Sequence, residues 1–265
     1  MSTDLPANAS TRATRGRVAR VPWVQISWHA ASVVVLLGVW QLIGKSFGVL
    51  FVPFSTTIRA LWDDITNGEI APALVDSGKV YGASLAISIV MGVFVGLMIA
   101  RSRWVSDAFE INLYILYATP TITLVPFMFA AFGYGFWPQT IIAVLIAVFP
   151  VLIGTTEGAR SIPSDLIDVA RSYRSTERQL WRDVILPYVV PYAMTGIKQA
   201  VPLALVGTLV AQFFLNATGV AALLLTASTN LQASQVFAVT LLISIIAVIL
   251  VGIGELIERY FTRWR

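Results

Sequence analysis

The 265-residue sequence contains no cysteine and one histidine, and only 12% of its residues are charged. The lack of cysteine excludes disulfides and thiolate metal sites. The lone histidine, His29, lies in an apolar segment, where a packed or interfacial histidine is more common than a ligand. We therefore expect no metal-dependent catalysis. Soluble domains carry about 25% charged residues, so the low charge also argues against an ordinary soluble fold.

Apolar residues are abundant instead, at 57% of the sequence. A helix needs about 20 mainly apolar residues to cross the hydrocarbon core of a membrane, and six segments meet this requirement. The third is interrupted by Pro120 and Pro126. The pattern predicts an all-α polytopic membrane protein of one domain at 22–265. Its spans are expected at about 24–44, 78–100, 112–132, 138–156, 193–215 and 235–254.

The distribution of Lys and Arg predicts the orientation of the spans, because cytoplasmic flanks carry the excess. Arginines precede the first span, follow the second and sixth, and populate the connection after the fourth. The opposite side receives only Lys45, Arg59 and Lys79. Both termini are therefore predicted to be cytoplasmic. Residues 1–21 are polar, small and arginine-rich, which predicts a disordered cytoplasmic tail. The net charge of +4 reflects these flanks, and we expect no nucleic-acid partner.

The connection at about 157–191 is the most charged part of the chain and contains the run DVARSYRSTERQLWRDVILP. Apolar residues recur at steps of three and four in 166–173, after Pro163, and again in 180–185, before Pro187. This spacing predicts two short amphipathic helices joined by a turn, the second ending at the proline. We expect such a hairpin to contact a partner. The alternative is a helix pair lying on lipid headgroups.

The hairpin resembles the EAA motif of binding-protein-dependent ABC importer permeases, in which Glu-Ala-Ala is followed by Gly and then by Ile-x-Leu-Pro. The matching residues are Asp168, Ala170, Val184, Leu186 and Pro187. Asp168 replaces the Glu, and Arg174 occupies the position of the turn glycine. A residue with a Cβ at positive φ costs about 1 kcal/mol. Either Arg174 adopts that strained conformation or the turn is built differently.

The resemblance extends from about Val52 to Leu225 and favours the branch that imports sulfonates, taurine and nitrate. ATPTITLVPFMFAAFGYG is similar to the third span of that branch, GVFVGLMIARSR to its second, and GIKQA followed by LVAQFF to its fifth. VPFSTTIRALWDDI is similar to its first outer loop, where apolar spacing after Pro53 predicts an interfacial helix or a packed one. Departures are Pro202 and Gln212, the latter at a position where the branch often has Glu.

The resemblance implies a type I ABC importer permease with a cytoplasmic coupling-helix hairpin, located in the bacterial plasma (inner) membrane. The chain has no G-x-x-x-x-G-K-[ST] phosphate loop, so it is expected to be non-catalytic and without a cofactor. ATP and Mg would be bound by a partner ATPase. The implied partners are an ABC ATPase dimer, a second permease copy forming a homodimer, an extracytoplasmic substrate-binding protein and membrane lipid. The expected solute is a small organic anion (sulfonate, taurine, nitrate or aromatic acid) or a polar heterocycle.

Candidate site residues fall into two sets. Those predicted to couple the permease to the ATPase are Asp168, Ala170, Arg171, Arg174, Ser175, Leu186 and Pro187; a solvated charged face is the alternative for the arginines. Polar groups are costly to bury in lipid without partners, so those in the spans are candidates for the translocation pathway. They are Tyr117, Thr119, Thr121, Thr123, Thr208 and Gln212. The more common fate of a membrane threonine is a hydrogen bond to its own helix. Lys198 is predicted to snorkel, or alternatively to attract an anion.

Two other functions compete with an ABC permease. A secondary transporter also has broken helices, but usually carries ionisable residues at mid-membrane, and the span centres here have almost none. An intramembrane enzyme needs a paired nucleophile and base, and His29 has no evident catalytic partner.

Overall fold

The computed structural model describes residues 22–47, 51–101, 103–214 and 218–262, and these residues form helices without strands. The predicted tail at 1–21 lies outside them. In chain order the helices are α1 Pro22–Phe47, α2 Phe54–Thr66, α3 Ile70–Ala100, α4 Arg103–Ala118, α5 Val125–Phe132, α6 Phe136–Arg160, α7 Ser164–Ser172, α8 Glu177–Gln179, α9 Leu186–Phe214, α10 Val220–Thr229 and α11 Ala233–Phe261. A 3₁₀ turn, Thr121–Leu124, joins α4 to α5, and a π-helical segment, Leu180–Ile185, joins α8 to α9.

The helices occupy the six positions predicted for spans. Within the described ranges, α3, α6, α11 and the continuous helix Glu177–Phe214 are long and apolar enough to cross a membrane. The broken third span corresponds to Ile111–Ala118 and Thr121–Phe132, which meet at an angle of 75°. Its break lies at Pro120, as predicted from the missing N–H of proline. Helix α1 contributes a shorter apolar stretch, Ala31–Ser46.

Helix α6 is central and packs along α3 on one side and α9 on the other. Glycines allow the close approach. A Cβ on Gly92 of α3 would lie 2.6 Å from Val151 Cβ of α6, and a Cβ on Gly196 of α9 would collide with the carbonyl oxygen of Pro150. Because lipid gives helices no hydrophobic reason to associate, such small-residue contacts are what holds membrane helices together. We call α3, α6 and α9 the three-helix core.

Helices α2 and α10 cover the end of the core opposite the hairpin. The helix predicted after Pro53 is present as α2. Part of its apolar stripe is packed against other helices, and part is exposed, as in an interfacial helix. Leu61 is buried in a cluster with Ile70 and Ala238, whereas Trp62 is 66% exposed. Helix α10 lies in a connection for which no helix was predicted, and its first residues pack against α3 and α11.

The second helix of the hairpin does not end at Pro187, so that prediction was wrong. Thr176 starts it with a capping box, in which its backbone N–H donates to Gln179 Oε1 at 2.8 Å. The helix then passes through the π-helical segment, where Leu186 N–H bonds to the carbonyl of Trp181, five residues back. This wider turn relieves the clash that a proline ring imposes on a regular α-helix. The result is one helix of 38 residues, Glu177–Phe214.

Candidate functional site

The turn of the hairpin is built around Arg174, whose φ is +55°. Of the two possibilities left by the sequence, Arg174 therefore adopts the strained conformation itself. Its N–H donates to the carbonyl of Arg171 at 2.8 Å, and Ser175 N–H donates to the carbonyl of Ala170 at 3.2 Å. These two bonds define a Schellman motif, which usually places glycine at the left-handed position. The motif fixes the direction in which the chain leaves the end of α7.

The end of α7 exposes both charged and apolar side chains. Asp168, Arg171 and Arg174 are exposed, and none of them forms an ion pair with another residue in the described part of the chain. Val169 is 55% exposed and Tyr173 is 83% exposed, so the predicted apolar stripe of α7 is largely uncovered. An apolar patch bordered by charges is typical of a protein-interaction surface. We call the α7 end, Asp168–Ser175, the hairpin tip.

The seven predicted coupling residues occupy two places. Five belong to the hairpin tip, where Ala170 and Ser175 are half-buried. Leu186 and Pro187 lie at the start of α9, beyond the π-helical segment against which α7 packs. Leu180 of that segment is buried and anchors the hairpin.

The broken third span holds four of the six predicted pathway residues. Thr119 and Thr123 bond back to their own turns, Thr119 Oγ1 to the carbonyl of Ile115 at 2.8 Å and Thr123 Oγ1 to that of Pro120 at 2.7 Å. This is the alternative considered for membrane threonines. Thr121 is half-buried, and Tyr117 is 49% exposed with its ring 5.8 Å from that of Phe149.

A cavity of about 520 Å³ opens between α4, α6 and α9, in the half of the core nearer the hairpin. We call it the central cavity. Tyr117 lines it, as do Tyr114 and Glu157, which are joined by a hydrogen bond of 3.1 Å from the phenol to the carboxylate. The other lining residues are Pro150, Ile153, Gly154, Pro191, Tyr192, Thr195, Gly196 and Gln199.

Of the polar residues that line the central cavity, sequence reasoning identified Tyr117 and missed the others, three of which lie on α9. Tyr192, Thr195 and Gln199 face it from α9. Their spacing of three and four places them on one helix face, and this polar stripe in an apolar span was the available signal. Among the residues that the structure describes, no lysine or arginine lines the cavity, although Arg160 borders a smaller adjoining one together with Glu157.

Thr208 and Gln212 lie apart from the central cavity, buried in the core. Thr208 Oγ1 bonds to the carbonyl of Ala204 at 2.8 Å. Gln212 Oε1 accepts from Ser77 Oγ at 2.8 Å, and Ser77 Oγ accepts from the N–H of Val220 at 2.9 Å. This Ser77–Gln212–Val220 cluster ties α3, α9 and α10 together. Sequence reasoning missed it because Ser77 is 135 residues from Gln212.

Gly219 belongs to the same cluster for a steric reason. It adopts φ +112°, and a Cβ there would meet the Gln212 amide group. Gln212 Nε2 has no hydrogen-bond partner within the described ranges.

Lys198 is paired inside the chain. Its amine lies 3.1 Å from Glu258 Oε2 and 3.4 Å from Glu255 Oε1, which links α9 to α11. Both of its carboxylate partners come from the last turns of α11, more than fifty residues away. The amine is therefore not a free cation that could attract an anionic solute.

Residues 88–264 match the family described as "Binding-protein-dependent transport system inner membrane component". The chain is also 24% identical to the formylaminopyrimidine transport permease protein ThiX of Halalkalibacterium halodurans, over 87% of this chain and 93% of that protein. It is 27% identical to the putative aliphatic sulfonates transport permease protein SsuC of Bacillus subtilis, over 87% of this chain and 85% of that protein.

Among solved structures, the inward-facing MetNI methionine ABC transporter is similar, with a TM-score of 0.61 and 16% identity over 78% of this chain and 97% of that one. This likeness confirms the predicted type I permease fold. The sulfonate permease among the relatives confirms the branch indicated by the sequence. Permeases of this family do not hydrolyse ATP themselves, so the expectation of a non-catalytic subunit is also confirmed. The chain belongs to the binding-protein-dependent inner membrane components, the membrane-spanning permease subunits of ABC importers.

Proposed function

We propose that this permease lines the pathway for a small polar solute, as one half of a homodimer, and that its hairpin tip docks on a partner ATPase. The observation that carries the proposal is the exposure of the tip. Asp168, Arg171 and Arg174 leave their charges unpaired within the described residues beside the uncovered Val169 and Tyr173. A subunit that needs an external motor must present a contact surface of this kind.

The tip is connected to the membrane by a helix that can carry displacement. The second arm of the hairpin continues into α9 as one helix of 38 residues, and α7 packs against its π-helical segment. Helical backbone bonds resist bending, whereas a flexible loop would absorb the motion. A movement of the tip is therefore passed to Tyr192, Thr195 and Gln199, which line the central cavity from α9. In this proposal both termini and the hairpin are cytoplasmic, and a binding protein delivers solute at the opposite end.

The lining of the central cavity favours one of the two solute classes expected from the sequence. It combines Tyr114, Tyr117 and Tyr192 with Thr195 and Gln199. These side chains can stack on and hydrogen-bond to a planar polar ring, whereas the described part of the lining contains no lysine or arginine to balance the charge of a sulfonate or nitrate. We propose a polar heterocycle rather than a small organic anion.

Transport by the assembled importer tests both the proposed function and the proposed solute class. The permease would be reconstituted in proteoliposomes with the ATPase and the binding protein encoded beside it, and uptake of a pyrimidine and of an alkanesulfonate would be compared. We expect ATP-dependent uptake of the pyrimidine. Uptake that continues without ATP but collapses with an ion gradient would overturn the proposed function, and ATP-dependent uptake of the sulfonate alone would overturn the solute class.

Docking of the tip is tested by two aspartates on the same short helix. Asp168→Ala removes a charge from the tip, and Asp165→Ala removes one from the first turn of α7, one turn before the tip. We expect Asp168→Ala to reduce ATPase co-purification and uptake at least tenfold, with unchanged helicity, and Asp165→Ala to change them less than twofold. Equal ATPase co-purification and uptake in the two variants would show that the tip is a solvated face and not a docking surface.

A further inference from the structure

A second groove lies between the end of α3 and the second arm of the hairpin, outside the central cavity and the hairpin tip. It has a volume of about 570 Å³. Phe94 and Met98 of α3 line it and are 64% and 58% exposed. Trp181 lines it from the π-helical segment. Leu186, one of the predicted coupling residues, also lines the groove, whereas Phe94, Met98 and Trp181 have no role in the proposed coupling or transport.

The groove is apolar at one end and basic at the other. Phe94 and Arg101 are seven residues apart, which is about 10 Å along the helix. Arg101 follows the last residue of α3, where the predicted span ends. Arg178 and Arg182 join Arg101 from the hairpin. The apolar end therefore lies at the depth of acyl chains and the basic end at the depth of headgroups.

The charge of the basic end favours an anion. Arg101, Arg178 and Arg182 contribute three guanidinium groups, and Glu177 is the one carboxylate among the described residues of the lining. Asp183 lies 3.9 Å from Arg182 Nε, but their side chains are 63% and 84% exposed, so this pair is screened by solvent. Trp181 is placed as tryptophans commonly are at a membrane interface.

We propose that this groove binds an anionic phospholipid, with its phosphate held by Arg101, Arg178 and Arg182 and an acyl chain against Phe94 and Met98. Basic pockets between membrane helices recognise anionic headgroups in this way. A bound lipid would brace the second arm of the hairpin against α3. The inference does not depend on the identity of the solute or of the ATPase.

The first test measures lipid binding to the purified full-length chain by native mass spectrometry. We expect phosphatidylglycerol to bind about tenfold more tightly than phosphatidylcholine with the same chains. Arg178→Gln/Arg182→Gln should remove this preference. Arg171→Gln/Arg174→Gln removes the same charge from the same hairpin, outside the groove, and should change the preference less than twofold. An equal loss in both variants, or no preference in the wild type, would overturn the proposal.

The second test separates a lipid from a free phosphate compound. Phe94→Ala/Met98→Ala should weaken phosphatidylglycerol binding severalfold while leaving the arginines in place. Soluble glycerophosphoglycerol, which has the headgroup without the chains, should bind at least tenfold more weakly than the lipid. Circular dichroism would verify that all three double variants keep the helicity of the wild type. Headgroup binding as tight as that of the lipid would overturn the assignment to a membrane lipid.

The third test asks whether the ATPase occupies the groove instead. Phosphatidylglycerol with brominated chains quenches nearby tryptophan, and the difference between wild type and Trp181→Phe isolates the signal of Trp181. We expect this quenching to persist when the ATPase is bound to the permease. Its loss on ATPase binding would show that the protein partner covers the groove, and would overturn the proposal.

Discussion

The structure of the three-helix core is defined by tight side-chain packing, whereas that of the hairpin tip is defined by backbone hydrogen bonds. In the core, Gly92 and Gly196 bring helices into contact, and the side chains of Ala147, Ala200 and Ala204 are fully buried. At the tip, Tyr173 is 83% exposed and the backbone bonds of the Schellman turn fix the conformation. Substitutions in the core should therefore change stability, and substitutions at the tip should change coupling. Three predictions test this division and a fourth concerns α2, which covers the end of the core; they run from the largest expected effect to the smallest.

The largest effect is expected for Gly196→Val in the core. A Cβ at this position collides with the Pro150 carbonyl and comes within 2.9 Å of Val151 Cα, both of them backbone atoms that cannot rotate away. We expect a loss of about 3 kcal/mol or more, measured by thermal unfolding in detergent. Gly254→Ala is the control, since its Cβ would lie 3.5 Å from Val201. If Gly196→Val were as stable as Gly254→Ala, close helix packing would not be what stabilises the core.

A smaller loss is expected from Ser77→Ala in the Ser77–Gln212–Val220 cluster. The change leaves the buried Gln212 Oε1 and the N–H of Val220 without the hydroxyl that serves both, so we expect about 2–3 kcal/mol of destabilisation. Ser88→Ala, in the same helix, removes only a bond of 3.5 Å to Val144 and should cost less than about 1 kcal/mol. Chemical unfolding of both variants provides the measurement. Similar losses of stability in the two variants would mean that the hydrogen bonds of the cluster add no stability beyond the packing of a serine side chain.

A gain of about 1 kcal/mol is expected where an L-residue occupies a left-handed position. Arg174→Gly at the tip and Leu231→Gly after α10 both relieve φ +55°. Uptake by the reconstituted importer separates them, because only Arg174→Gly removes a charge from the tip. We expect that variant to be more stable but less active, and Arg174→Ala to lose a similar share of activity without the gain in stability. Full uptake by the Arg174→Gly variant would show that Arg174 is not a coupling residue.

The smallest effect concerns Asp64 of α2. Burial, together with the nearby Glu69, raises the pKa of this carboxyl, although the hydrogen bond from Gln235 opposes the shift. A raised carboxyl pKa means that the folded state is favoured at low pH and loses stability as the group ionises. Asp64→Asn should therefore raise Tm by about 1–2 °C at neutral pH and have little effect near pH 3. Asp165→Asn on the exposed α7 is the control, and an equal rise there would exclude burial as the cause.

The sequence predicted those features that depend on local chemistry. Pro120 has no N–H, so the third span had to break near it. Arg174 was recognised as standing where the motif requires a left-handed residue, and its φ of +55° decides between the two alternatives that the sequence left open. The hairpin helices followed from apolar spacing within a charged segment.

The features that were missed depend on contacts between distant residues or on unusual helix geometry. The helix continues through Pro187 because a π-helical segment precedes the proline, and no periodicity in the sequence distinguishes that segment from an α-helix. Lys198 was expected at the membrane interface, but it meets Glu255 and Glu258 only after α9 and α11 have packed. The roles of the predicted coupling and pathway residues stay predictions until the variants above are measured.

The 38-residue helix has a consequence for how far the two ends of the molecule can move independently. Leu180, under the hairpin, and Gln212, in the cluster with Ser77, are separated along this helix by roughly 48 Å at 1.5 Å per residue. A tilt of about 5° around its midpoint would displace each end by roughly 2 Å, in opposite directions. Motion inward at one surface of the membrane would thus be accompanied by motion outward at the other.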